Sequence, residues 1–420
     1  MNHSTSPADD VPDVLVVGGG IGGLGAALAL TRNGLRVRVL EQAPEFGEVG
    51  AGIQLAPNGT RILADYGLLD EAVSLGVVPT RMVMRDAVDG SELTALDLRD
   101  LHHRYGSPYL VIHRSDLHGL LLRACRRAGV DLRTDQQVTS YDNVVGGAGV
   151  ELADGTAHRA RLVIAADGIH SVARRQYVGD DVVNSRYVAY RAALPVEQVH
   201  DHGITVADDE VVVHVGPRCH FVQYPLRGGT TVNQVAVFES TKARAGEQNW
   251  GTPDELDAAF TGTCDQVREA TALMWRDRWW QMFDRDPIST WAYGRVVLLG
   301  DAAHPPLQYL AQGAIMAIED GWVLAQHLAA TGTAHPGPAL DAYQAVRAAH
   351  CGRVQATARA WGDLWHLDGD LRLRRNAILR DRAIDDFHFI DWLYGPTALT
   401  PDQEPPMFTP IPLSTIEPAH

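Results

Sequence analysis

The chain has 420 residues, 45% of them hydrophobic, and a formal net charge of −16, which leaves room for two to three domains around a substantial core. That charge, with a pI near 5.5, excludes a general binder of phosphate backbones, so no nucleic acid partner is expected, although a few local arginines or histidines can still hold a small anionic substrate. Cys125, Cys219, Cys264 and Cys351 lie far apart without a CxxC pair, so neither a disulfide framework nor a thiolate metal site is implied and a reduced, cytoplasmic protein is expected.

After a polar start, Val14–Val17 predicts a buried strand running directly into Gly18-Gly19-Gly20-Ile21-Gly22-Gly23 and then the small-residue helix Leu24–Arg32. A second strand, Leu35–Leu40, ends at Glu41. This is a dinucleotide fingerprint in its required context: Gly18 permits the tight turn, Gly20 lets backbone approach a pyrophosphate, Gly23 lets helix and strand pack closely, and Glu41 stands where a carboxylate receives ribose hydroxyls. The apolar run Val14–Leu30 is not read as a membrane span or signal, because Asp9, Asp10 and Asp13 precede it and glycines interrupt it.

Phe46–Leu55, with Gly47, Gly50 and Gly52, predicts a glycine-rich loop lying against something flat or crowded, and Pro57–Tyr66 a helix with proline in its first turn. Strand-like patches at Met82–Met84 and Leu93–Leu98, then a loop at His102–Arg104, suggest an excursion into a second domain. Ser115 reads as the N-cap of a helix over Asp116–Ala128, and Arg114 before it is placed to meet a phosphate or ribose, or to be an exposed structural arginine. Strands follow at Gln137–Tyr141, Gly149–Leu152 and Arg159–Ile164, the last delivering Asp167-Gly168 to its end.

From about Asp181 to Met274 the pattern is mostly β, with strands at Ser185–Leu194, Val211–Val215, His220–Tyr224 and Thr231–Phe238. Thr252-Pro253-Asp254-Glu255 reads as a capping box opening a helix to Phe260. Val296–Leu299 is a buried strand ended by Gly300, with Asp301 at its carboxyl end; Pro305-Pro306 forbid helix until about Gly313, where Gly313-Ala314 open a helix to about Leu328. Three strand ends, at Gly18, Asp167 and Asp301, are thus expected to meet in one crevice beyond the sheet, where α/β folds bind ligands. Helices at about Ala339–His366 and Leu371–Arg382 come next, and the final 25 residues hold seven of the chain's 22 prolines, predicting an extended tail.

Together GGGIGG with Glu41, ADGIHSVAR (Ala166–Arg174) and GDAAHPP (Gly300–Pro306) resemble, over nearly the whole chain, the single-component flavoprotein aromatic hydroxylases of the para-hydroxybenzoate hydroxylase fold. The resemblance implies an α/β chain with a discontinuous Rossmann-like FAD-binding domain (1–80, 107–180 and 275–335). It further implies an inserted, mainly antiparallel β substrate domain (81–106 and 181–274) and a C-terminal region (336–420) of helices and extended tail. It assigns tightly bound FAD to Gly18, Gly20, Gly23, Glu41, Gly52, Arg114, Asp167, Gly168, Gly300, Asp301, Gly313 and Ala314. Within that set Asp167-Gly168 also meets the reduced nicotinamide, and Asp301 contacts the ribityl chain.

Phe46–Gly59, Gly216–Gly229, Asp301–Ala314 and Trp361–Gly369 are similar to the 3-hydroxybenzoate 6-hydroxylase subfamily. This implies conversion of 3-hydroxybenzoate to 2,5-dihydroxybenzoate (gentisate) with NADH or NADPH and O2, through a C4a-hydroperoxyflavin, in a homodimer without a metal. It also implies His220, Tyr224 and Gln308 as the catalytic set. His220 and Tyr224 stand four apart on one strand and so share a face; without the resemblance His220 reads as a structural histidine. In this chemistry an imidazole is the suitable base for a phenol at neutral pH. The competing expectations are a salicylate or other aromatic-acid hydroxylase of the same fold, an NAD-dependent dehydrogenase, and a flavin redox sensor without turnover.

Overall fold

The computed structural model describes residues 11–47 and 50–395; the proline-rich tail and Glu48-Val49 of the glycine-rich loop fall outside them. Its first sheet has six strands in the order Ala292–Tyr293, Val296–Leu298, Leu162–Ala165, Val14–Val17, Val37–Leu40 and Asp131–Arg133. All neighbours are parallel except the outermost pair, Ala292–Tyr293 with Val296–Leu298. The central strands are buried on both faces, as their unbroken Val/Leu/Ile runs require. The helix Ile21–Arg32 packs between this sheet and the helix Gly313–Thr331; a Cβ on Gly321 would lie 2.5 Å from Ala26 Cα, so only glycine permits that closeness.

A seven-stranded sheet runs Trp280–Asp284, Val183–Pro195, Thr231–Glu239, Cys219–Leu226, Glu210–Gly216, Arg81–Asp86, Glu92–Asp97. Its pairings are antiparallel except that of Glu210–Gly216 with Arg81–Asp86, which is parallel and joins the early excursion to the later β segment. One face is sealed by Trp250, Phe260 and Met274; the other turns Val213 and Val235 toward Tyr309 and Trp365. Above that second face lie the helices Gly337–Trp365 and Gly369–Arg380. Arg372 ties the latter to the buried Asp86 at 2.5 Å, and Asn376 donates to the same carboxylate. The bidentate pair from Arg227 to Asp116, at 2.8 and 3.0 Å, joins the sheet's hairpin to the helix Arg114–Ala128.

Several local expectations are corrected. Gly52–Leu55 is a strand paired with Leu110–His113. His102–Arg104 lie within a helix, Arg99–Tyr105, closed by Gly106 at φ 73°. The helix expected from Asp116 begins at Arg114 with His113 as its cap, because the His113 Nδ1 accepts from the Ser115 N–H at 3.3 Å. Arg159–Ile164 is two strands in different sheets, Ala157–Ala160 and Leu162–Ala165. Thr252 makes no side-chain cap; Glu255 turns back to the amides of Gly251 and Lys242 and the hydroxyls of Ser240 and Thr241.

Candidate active site

The strands ending at Val17, Ala165 and Leu298 are consecutive neighbours in the first sheet, so the turns after them open side by side. Beyond them lies a cavity of about 1220 Å³, roofed by the inner face of the seven-stranded sheet and the C-terminal helices. A single small ligand needs roughly 300–1,000 Å³, so this volume suits a large cofactor with a small substrate beside it. Gly20, Gly52, Arg114 and Gly168 line it, as do Gly300, Asp301, Gly313 and Ala314. Gly18 and Gly23 instead shape the turn: at φ +106° a Cβ on Gly18 would lie 2.2 Å from the Ala166 carbonyl oxygen, and one on Gly23 would lie 1.9 Å from that of Gly18.

Two acids expected at the cofactor act first on the backbone. Glu41 accepts from the amides of Gly19 and Ala43, each at 2.8 Å, bracing the fingerprint turn from below. Asp167 does not line the cavity: its Oδ2 accepts from the Tyr141 hydroxyl at 2.9 Å and the Val172 amide at 2.8 Å, capping the short helix Val172–Tyr177.

The donor set fits FAD. The helices Ile21–Arg32 and Gly313–Thr331 both begin at the cavity, with no side-chain cap and no acid in the first turn. Their amides and positive dipole ends therefore suit a pyrophosphate and an electron-rich ring. Gln312, 2% exposed, accepts from Asn58 at 2.9 Å, while its Nε2, at the cavity wall, is buried with no partner among the described residues. A buried amide donor aimed at a cavity calls for a ligand acceptor.

The turn at Gly300 is held from behind by a buried ionic cluster that sequence reasoning missed. Asp320 accepts from the Gly300 amide at 2.9 Å, from His304 Nε2 at 2.5 Å and from Arg347 Nε at 2.8 Å. Arg347 also pairs with Glu319 at 2.8 Å. Burial raises the Asp320 carboxyl, but His304 and Arg347 outweigh it and hold its pKa at about 2. Its signal in the sequence was the acidic pair Glu319-Asp320 inside an apolar helix, since buried carboxylates require partners.

The inner face of the second sheet brings His220 and Tyr224 to this cavity, and the turn Gln308–Leu310 before the helix Gly313–Thr331 brings Gln308. His220, 1% exposed, faces Gln308 Nε2 across 3.5 Å and meets His366 Nε2 through Nδ1 at 2.8 Å. Burial, and then His366, push His220 well below the usual histidine range, so the resting ring is neutral. Tyr224 is buried and keeps its proton, its pKa raised mainly by burial. A Cβ on Gly52 would lie 2.8 Å from the Tyr224 hydroxyl, so Gly52 leaves the space that ring fills. Arg191, also unanticipated, enters the cavity from the strand Val183–Pro195, donating to Gln308 Oε1 at 3.1 Å with its guanidinium 5.7 Å from the Trp280 ring centre. Among the described residues no carboxylate forms an ion pair with it, and burial lowers its pKa. A cavity cation of this kind attracts an anionic ligand.

This assembly of fingerprint crevice, uncapped helix ends and a cavity with room for a flavin and a small substrate is that of an FAD-dependent aromatic monooxygenase, and the chain belongs to the family described as FAD binding domain, whose model matches residues 12–358. It is 41% identical over 395 residues to the 3-hydroxybenzoate 6-hydroxylase of Polaromonas naphthalenivorans (strain CJ2), covering 93% of this chain and 97% of that one. It is 38% identical over 392 residues to the 3-amino-4-hydroxybenzoate 2-monooxygenase of Streptomyces cremeus, covering 93% and 96%. Among solved structures, Klebsiella pneumoniae HpxO complexed with FAD and uric acid matches with a TM-score of 0.80 at 27% identity, covering 92% of this chain and 97% of that chain. The chain is accordingly a flavin monooxygenase that hydroxylates aromatic acids. No described helix is long and apolar enough to cross a membrane.

Proposed function

We propose that this monooxygenase converts 3-hydroxybenzoate to 2,5-dihydroxybenzoate, using NADH and O2. The observation that carries the reading is a neutral, buried His220 that shares a strand face with Tyr224 and lies 3.5 Å from Gln308 in one cavity. Bound FAD, once reduced, supplies an electrophilic oxygen atom derived from O2. The chain's own part is to make the ring electron-rich and hold its reacting carbon in place. His220 Nε2 takes the phenolic proton, which raises electron density para to the oxygen, at the ring carbon next to the one that bears the carboxylate. Gln308, fixed by Arg191, orients the phenolic oxygen; Tyr224 donates to the substrate; the Arg191 guanidinium receives the carboxylate. Val213, Val222 and Val235 give an apolar wall that keeps water from the reacting atoms.

The relative acting on 3-amino-4-hydroxybenzoate supports a second reading, in which the same base activates an aminophenolic acid. NADH oxidation and O2 uptake across a panel of benzoates, with product identification, decides: gentisate formed in step with NADH supports the first reading, and turnover confined to 3-amino-4-hydroxybenzoate supports the second. The reading includes a homodimer formed through the C-terminal helices, where Leu373 is 56% exposed. Sedimentation of the native chain beside Leu373→Glu tests it, a dimer that becomes monomeric being expected.

A further inference from the structure

His366 caps the helix Gly337–Trp365 and is 7% exposed, inside a stretch to which the proposed reaction gives no task. Its ring stacks on Tyr187 at 4.5 Å and 15°, and lies edge to edge and nearly coplanar with His220, the ring centres 5.1 Å apart and the planes 20° apart. Tyr309, tilted at 55°, and Trp365, near-perpendicular at 76°, close on the His220 ring with centres at 5.4 and 5.0 Å. Neither imidazole can turn without displacing a buried aromatic neighbour.

The hydrogen bonds fix where the protons sit. Gln308 Oε1 accepts from Arg191, so the end of Gln308 facing His220 Nε2 is its NH2 group. An amide NH2 only donates, so His220 Nε2 carries a lone pair and its single proton is on Nδ1. That proton is donated to His366 Nε2 across 2.8 Å, which leaves the His366 proton on Nδ1.

We propose that His366 is a positioning residue: it holds His220 in the Nδ1–H tautomer and accepts a hydrogen bond from the imidazolium formed when His220 takes the phenolic proton. The inference rests on the reading of His220 as that base. In the step, the phenol O–H bond breaks, an N–H bond forms at His220 Nε2, and the positive charge strengthens the Nδ1–H···Nε2 bond in a dry site. His366 does not take the phenolic proton itself, since its Nε2 lone pair is already engaged by His220 Nδ1 at 2.8 Å. The other groups around the pair are Cys219 and Tyr224 on the base's own strand, Tyr187 and Arg191 from the adjoining strand, Arg218 and Glu239 at the hairpin end, Tyr309 from the turn before Gly313, Asp363 from the helix above, and Arg375. Cys219 is pushed up to about 12 and the tyrosines higher still, all mainly by burial, so they stay neutral across the working range.

The test uses FAD-loaded protein without NADH and follows the ionisation of bound 3-hydroxybenzoate by its phenolate difference spectrum against pH. His366→Leu is expected to raise the midpoint by about one pH unit, a tenfold loss of phenolate at a fixed pH, and to lower kcat with little change in KM. His366→Gln, which keeps an acceptor at the position of Nε2, is expected to restore the native midpoint. A His366→Leu protein that binds flavin and substrate yet keeps the native midpoint overturns the proposal, as does a Gln variant no better than Leu. Should the Leu variant not fold, His366→Asn, whose shorter side chain withdraws the acceptor, takes its place under the same criteria. His220→Gln separates the two claims: if it too leaves the midpoint unmoved, the base assignment itself falls.

Discussion

His220 is a residue whose surroundings decide its role. An exposed histidine would be partly charged near neutrality, whereas this one is kept neutral by burial and the imidazole beside it. His220→Ala is therefore expected to lower hydroxylation by about 10²–10⁴-fold, while NADH oxidation continues with H2O2 as product; the measurement is gentisate formed per NADH consumed, and native coupling in the variant would remove the assignment. Arg191 makes a separate prediction. A charge-assisted hydrogen bond contributes about 1.5–3 kcal/mol, so Arg191→Gln is expected to raise KM for 3-hydroxybenzoate by roughly 10–100-fold. Because the effect comes from charge, the preference for that acid over neutral 3-hydroxybenzyl alcohol should shrink by a similar factor; an undiminished preference would place the carboxylate elsewhere.

Among the elements, the strand–turn–helix at Gly18–Gly23 shows what local pattern can reveal. The requirement at Gly23 is backbone against backbone, since a methyl group there would stand 1.9 Å from the Gly18 carbonyl oxygen. Gly23→Ala is thus expected to yield protein lacking the flavin absorbance of the native chain; full flavin content in that variant would contradict the packing. Such steric demands are written in consecutive residues and were legible, as were the strand ends that carry Gly168 and Asp301 to the crevice. Less legible were contacts between distant segments. His366 stands 146 positions from His220, and Arg191 stands 117 from Gln308; no spacing rule links them, because folding of two sheets and a helix pair brings them together. The same cause explains Asp167, whose motif was evident but one of whose carboxylate oxygens accepts from Tyr141, 26 positions earlier. Ser115 lost its expected capping role to a neighbour, His113, two residues away, since an imidazole nitrogen can accept the same amide.

At the scale of the molecule, burying neutral histidines makes stability depend on pH. His214 is pushed down to about 4 by burial and then Arg85, and His366 to about 3 by burial and then Arg375. In the unfolded chain each titrates near 6.5. The unfolded state thus binds protons first as pH falls, so the stability these groups contribute is present above about 6.5 and is lost as pH drops toward their folded values. Between pH 7 and pH 5 each should cost about 2 kcal/mol. Urea unfolding of the native chain at those two pH values is expected to show the loss, and His214→Leu should show a smaller one; equal losses in both proteins would mean that His214 is not the proton acceptor.

The order of strands in the first sheet also bears on how the molecule is made. Val14–Val17 and Leu162–Ala165 pair with each other, but the remaining edge of the latter waits for Val296–Leu298. At roughly 5–20 residues per second on a ribosome, that edge stays unpaired for several seconds to tens of seconds during synthesis. A nascent chain that has not yet delivered Gly300 and the helix after it has only part of the crevice, so cofactor capture belongs to the last third of translation, and until then the growing polypeptide depends on whatever shields a bare parallel edge from its neighbours.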